Sequence, residues 1–239
     1  MGIREKERQY IPILITIIYM VYFYIFCTWE YRNGWLISLQ EVSLSNLSIK
    51  LFGDFGSMFI FPLILFVAYR KNLSELGVRK SKLCIVLLLI YVLFFILHRD
   101  YTVKGIYHAF FYLFIVALPE EFIYRGYLYS NLKKYNRTMA IIISGMLFGM
   151  IHSILPSIIS EGSASTMLMD MTNQLGGGIV SSLIFISFLE ISGSIWVPIL
   201  IHALLDYSYK SWGIGVTVLV LGFLLISNRK GKKSVKVNW

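Results

Sequence analysis

The stretch YIPILITIIYMVYFYIFCTW, residues 10–29, decides the fold. It carries no charged side chain and has the length of about 20 residues that an α-helix needs to cross the hydrocarbon of a bilayer. Arg4, Lys6 and Arg8 precede it. A secretory signal has a shorter apolar core and a small-residue cleavage site after it, and neither is present. A lipoprotein reading of Cys27 wants a small residue before it, and Phe26 stands there. The run therefore reads as a membrane span.

The rest of the chain agrees. Of 239 residues, 57% are hydrophobic and 15% charged, against roughly 45–50% and 25% in soluble domains. One buried core cannot absorb that apolar excess, which argues against a soluble enzyme, a disordered chain or a disulfide scaffold. The cysteines, Cys27 and Cys84, sit in apolar runs without metal-ligand spacing and read as packed or lipid-facing thiols. Eight apolar runs approach spanning length, at about 10–29, 51–69, 83–97, 105–132, 138–155, 175–190, 193–209 and 212–227. With these spans, 17 of the 22 Lys and Arg fall on the side of the termini and 5 on the other. Basic residues are held in the cytoplasm, so both termini are expected there, with the tail NRKGKKSVKVNW as a basic anchor. The same excess explains the net charge of +9 without nucleic acid. The expected fold is all-α, a polytopic membrane protein of about eight helices, with residues 1–239 forming one membrane-embedded domain in the lipid bilayer. The segment 156–174 is its longest external loop, with room for some helix.

Ionisable groups inside spans are costly and mark function by default. The fourth span holds PEEFIYRGYLY, residues 119–129, the fifth FGMIH, 148–152, and the seventh VPILIHALLDY, 197–207. Residues four apart share a helix face. Glu121 and Arg125 can neutralise each other, which leaves Glu120 as the spare carboxylate. Phe148 shares a face with His152, and Asp206 with His202, whose ring it could orient. At 1.5 Å per residue, Glu120 lies about 20 Å from the basic flank at Lys133 and His152 about 22 Å from that at Arg137, and counted from Ser192 His202 lies about 15 Å and Asp206 about 21 Å deep. Antiparallel helices bring them to one level, and Gly145 and Gly149 allow a close neighbour. His98 and His108 lie near span ends and read as interfacial. Asp54 reads as wet at the outer surface.

A desolvated carboxylate beside two imidazoles can take a proton from water and stabilise an oxyanion. That points to amide hydrolysis in or at the membrane. No HExxH or GxSxG occurs. On ligand chemistry alone, zinc at Glu120, His152 and His202 stays open. Two other classes compete: a non-catalytic binding or immunity protein that captures a peptide in the same pocket, and a proton-coupled transporter. No internal repeat supports the transporter.

The three motifs resemble those of the CPBP membrane proteases, the CAAX protease and bacteriocin-processing or Abi family. That pattern is EExxxR, FxxxH and HxxxN or HxxxD. Here it reads Glu120-Glu121-xxx-Arg125, Phe148-xxx-His152 and His202-xxx-Asp206, in order and in separate spans. The stretches SELGVRK and SGSIWVPILIHALLD are also similar, and the likeness covers about 70–210. The resemblance implies an eight-helix intramembrane endopeptidase with a conical cavity open to the cytoplasm, acting on a peptide or membrane protein. It implies catalytic roles for Glu120, Glu121, His152, His202 and Asp206, support from Arg125 and Phe148, and no cofactor. Glu120 would activate water, His152 would assist, and His202 and residue 206 would form the oxyanion site. The CAAX enzymes carry Asn at that last position. Asp206 is thus either protonated at the oxyanion or orients His202. The chain's Ile, Lys, Asn and Tyr usage points to a bacterial plasma membrane, where prenylated substrates are not expected.

Overall fold

A computed structural model describes residues 9–236, with side chains described through Asn228. The flank of Arg4, Lys6 and Arg8 lies outside the described residues, as do the tail's side chains beyond 228 and residues 237–239. The described chain is helical throughout, without a strand. The helices are α1 (Ile11–Arg32), α2 (Leu47–Ala68), α3 (Lys82–His98), α4 (Val103–Leu132), α5 (Arg137–Ile159), α6 (Ala164–Ser192), α7 (Trp196–Asp206) and α8 (Trp212–Lys236). By length and composition α1, α2, α4, α5 and α6 can cross a membrane, whereas α3, α7 and the described part of α8 are shorter apolar helices.

Side-chain pairs fix the directions. Tyr22 donates to the Gly56 carbonyl at 2.6 Å, and Tyr19 packs on Phe61, so α1 and α2 are antiparallel. Tyr107 meets Asp54 and Tyr69 meets Tyr127, so α2 and α4 are parallel. Ser144 donates to the Tyr124 carbonyl at 2.8 Å, and α5 runs back along α4. Arg137 pairs with Glu190, so α6 reverses again. The connectors 33–46, 99–102, 160–163 and 207–211 therefore share one end of the bundle. The connectors 69–81, 133–136 and 193–195 share the other, with Tyr10 beside Leu132 and Tyr135. The first end carries Arg99 and Lys210; the second carries Arg70, Lys71, Arg79, Lys80, Lys133 and Lys134.

The glycines act as the sequence predicts. A Cβ on Gly145 would sit 2.5 Å from the Ile179 Cα, and one on Gly149 would strike the Gln174 carbonyl. Bare backbone thus lets α5 and α6 touch. At the basic end, SELGVRK docks under the α6–α7 connector. Gly77 adopts φ 80°, a conformation glycine takes without a Cβ penalty, and its carbonyl accepts from Ile195 N at 2.8 Å.

Two elements differ from the sequence reading. The expected 156–174 loop shrinks to four residues, because Ser163 caps α6 by accepting from Thr166 N at 3.2 Å, and the Ser- and Met-rich segment is its first turns. α7 has 11 residues instead of a full 193–209 span. That is about 16 Å of helix, near half a bilayer core. Gly193 at φ 69° ends α6 before it, and the turn from Tyr207 ends α7 after it.

α4 is the inner helix. Its winding loosens to the π form over Phe111–Ala117 and Phe122–Tyr129, on either side of Pro119. Proline has no N–H to give to the preceding turn, and π winding frees carbonyls for other donors. Ser130 donates to the Arg125 carbonyl at 3.1 Å, besides the Ser144 bond to Tyr124. Such loosened turns recur at functional sites. At the head of α4, Thr102 caps the helix, and its hydroxyl and N–H donate to Asp100, holding that exposed carboxyl below its usual range.

Candidate active site

Arg125 and Glu121 are fully buried, with Nη1 to Oε1 at 3.2 Å. No guanidinium N–H is aligned for a hydrogen bond, so the pair is held by charge. The guanidinium carbon lies 3.8 Å from the Phe148 ring centre and 5.0 Å from that of Phe185. Phe148 thus gives Arg125 an aromatic face, a cation–π contact strengthened by desolvation.

Glu121 has a second partner that helical spacing did not reveal. His202 Nδ1 lies 2.9 Å from its Oε1 and donates to it across the α4–α7 contact. The imidazole stacks on Phe185, ring centres 5.0 Å apart. Its Nε2 lies 3.3 Å from Asp206 Oδ2 and 3.8 Å from Glu120 Oε2. His202 is therefore oriented by two carboxylates, Glu121 through Nδ1 and Asp206 through Nε2.

His152 sits where α5 loosens into a turn. Its Nδ1 lies 2.6 Å from the Phe148 carbonyl and donates to it. In the neutral ring this leaves the Nε2 lone pair turned toward Glu120 Oε2, at 3.9 Å. Glu120 Oε2 itself is buried without a hydrogen-bond partner. The His152 side chain is 43% exposed and that of Asp206 33%, so the cluster is dry at Glu121 and open at its rim. The structure thus brings Glu120, Glu121, Arg125, Phe148, His152, His202 and Asp206 into one constellation.

Zinc is the one metal that the donor set of Glu120, His152 and His202 suggests. A zinc site needs convergent donors at about 2.0–2.2 Å. Here the Nδ1 atoms of His152 and His202 donate to the Phe148 carbonyl and to Glu121, as those of metal-bound histidines also do, and their Nε2 atoms face Glu120 Oε2 at 3.9 and 3.8 Å. Among the described residues, no group of three His, Cys, Asp or Glu is arranged to hold a metal ion.

A cavity of about 530 Å³ runs from Glu120 to the 33–46 connector, past Cys27, Glu30, Lys50 and Asp54. It lies at the end of the bundle opposite Tyr10 and the basic connectors. Cytoplasmic termini and a cavity open to the cytoplasm were both expected; with the cavity and Tyr10 at opposite ends, the two expectations part. A smaller cavity of about 190 Å³ at the same end joins Asp206 to His98, Asp100 and His108. His98 packs on Tyr207 with ring centres 4.6 Å apart.

Polar residues that the spacing argument passed over line the larger cavity. Asp54 is half-buried at the cavity wall: it pairs with Lys50 at 2.8 Å and accepts from the Tyr107 hydroxyl at 2.5 Å. Glu30 is buried in the last turn of α1. A signal for the pair was there, since Lys50 and Asp54 are four apart. Glu30 had none beyond being a carboxylate at the end of an apolar run.

Residues 102–208 match the family model described as Type II CAAX prenyl endopeptidase Rce1-like. The match spans just under half of the chain, encloses all three motifs and is consistent with the CPBP family to which they point. It supports protease activity of the CAAX type in a multi-pass membrane protein. Comparison with curated proteins and with solved structures gives no match.

Proposed function

We propose that the chain is an intramembrane endopeptidase that hydrolyses a peptide bond of a membrane-associated peptide or protein, with Glu120 as general base. One observation carries the reading: Glu120 Oε2 is buried, unpartnered and faces the Nε2 atoms of His152 and His202 at 3.9 and 3.8 Å. These gaps are too wide for direct hydrogen bonds. A water making two hydrogen bonds of about 2.8 Å spans acceptors about 4.4 Å apart, close to the separation of Glu120 and His152. In the proposed step this water donates one O–H to Glu120 and the other to the His152 lone pair. Its oxygen attacks the peptide carbonyl carbon while Glu120 takes its proton. His202, protonated on both nitrogens, donates through Nδ1 to Glu121 and through Nε2 to the oxyanion. Collapse breaks the C–N bond, and the proton on Glu120 passes to the leaving amine. Asp206 orients His202, a role suited to its 3.3 Å approach to Nε2; an ionised carboxylate at the oxyanion itself would repel it. Arg125 holds Glu121 in place and Phe148 holds Arg125.

No cofactor enters this mechanism. Proteolysis by the purified protein is expected to continue in a strong chelator. Stoichiometric zinc, with activity lost on its removal and regained on its return, would replace the glutamate–water mechanism.

In the same reading the bundle spans a bacterial plasma membrane with both termini in the cytoplasm, α7 reaching only part-way across. The cavity then faces the opposite side, since the connectors rich in Lys and Arg lie at the other end. Reporter fusions at residue 75 should read cytoplasmic and those at residue 40 the opposite. Reversed signals would turn the cavity to the cytoplasm.

A further inference from the structure

Glu30 is a carboxylate that the fold of α1 does not require. It lies in the last turn of the helix, where the macrodipole disfavours a negative charge. It is 3% exposed, and among the described residues its carboxylate has neither a hydrogen-bond partner nor an ion pair. The nearest cation is already committed: Lys50 pairs with Asp54 at 2.8 Å and lies 5.1 Å from the centre of the Phe111 ring. Asp54 is committed in turn, to Lys50 and Tyr107. The cluster of Glu30, Lys50 and Asp54 thus carries one more acid than base, and Glu30 holds the surplus.

The surroundings make room for that carboxylate. A Cβ on Gly53 of the facing helix would collide with its Oε1. On its open side Glu30 lines the 530 Å³ cavity that Glu120 also lines. That volume is in the range of small-ligand pockets and admits a few residues of an extended peptide. The Glu30 oxygens reach the cavity, and in so enclosed a recess a cation brought by a ligand would pair with the carboxylate more strongly than in bulk water.

We propose that Glu30 is the specificity residue of a substrate subsite, taking a cationic group of the peptide, a lysine side chain or a free amine, while Glu120 works at the scissile bond. Lys50 and Asp54 form the polar wall that keeps a single negative charge in reach. The substrate enters past the 33–46 connector. The assignment builds on the protease reading, and its test separates the two.

The probe is a short leucine-rich fluorescent peptide with one Lys, moved along the sequence, and its norleucine counterpart. Binding is measured in liposomes holding the full chain with Glu120→Gln, which prevents turnover; cleavage is measured with the unaltered chain. At one Lys position the cationic peptide should bind about tenfold tighter than the norleucine peptide. Glu30→Gln should bring that ratio near one, and Glu30→Lys should turn it toward a peptide carrying Glu. If Glu30→Gln does not accumulate, Glu30→Asp, with its shorter reach, must still lower the ratio. Equal binding of the two peptides, or a preference that survives these substitutions, overturns the subsite. Cleavage without a Lys preference sinks the subsite and leaves the protease. A Lys preference lost in Glu30→Gln, with no cleavage by the unaltered chain, keeps the subsite and sinks the protease.

Discussion

α3 and α4 are both apolar helices, and they use the bundle in opposite ways. α3, KLCIVLLLIYVLFFILH, is almost unbroken hydrocarbon, yet only Leu87, Tyr91 and Phe94 are buried. α4 carries two glutamates and an arginine, and every residue from Phe122 to Tyr129 is buried. In a water-soluble protein the more apolar helix would be the inner one. Lipid solvates Leu as well as another Leu does, so apolar surface gains little by turning inward. Charge gains much, because it finds partners only inside. The polar residues of this chain thus mark its centre and the apolar ones its outside.

The sharpest way to break that contrast is to remove one charge from the centre. Glu121→Ala strands Arg125 and also deprives His202 Nδ1 of its acceptor. Deleting one partner of a buried pair costs about 3–5 kcal/mol, so the level in membranes and the melting temperature in detergent should both fall. Replacing Glu121 and Arg125 together with Leu and Met should restore most of the level, while His202 stays unanchored and cleavage stays lost. An unchanged level for Glu121→Ala would show that the pair does not hold α4.

At the other extreme, Leu89 of α3 is 64% exposed. Leu89→Val removes nothing from the packed interior and should change stability by less than about 0.5 kcal/mol, read as a melting temperature. A loss comparable to that of Glu121→Ala would mean that α3 packs against something beyond lipid and would erase the distinction between the two helices.

Much of this was legible in the sequence, for physical reasons. The 20-residue rule found the long helices, and the antiparallel depth count put Glu120, His152, His202 and Asp206 at one level. Gly145 and Gly149 announced the close α5–α6 contact because only a missing Cβ permits it. Four features stayed hidden. The bond from His202 to Glu121 joins residues 81 apart, and no local periodicity encodes it. The π winding of α4 shifts neighbours off the 3.6-residue period used to sort the faces. Glu30, at the edge of an apolar run, looks like an interfacial residue until α2 is folded against it. The first turns of α6 were read as loop because their Ser and Met content is poor for a span, though adequate for a capped helix.

The central claim is that Glu120 carries the chemistry while Glu121 and Arg125 hold the site. It is tested most directly by mass spectrometry of peptides in membranes that hold equal amounts of the unaltered protein or of Glu120→Gln. The amide keeps size and removes the base. Peptides released by the unaltered protein should then fall by about 10²–10⁴-fold, the range of a lost general base, with the melting temperature unchanged. Undiminished release by Glu120→Gln protein would contradict the assignment. If the unaltered protein released no peptide at all, the protease reading itself would fall.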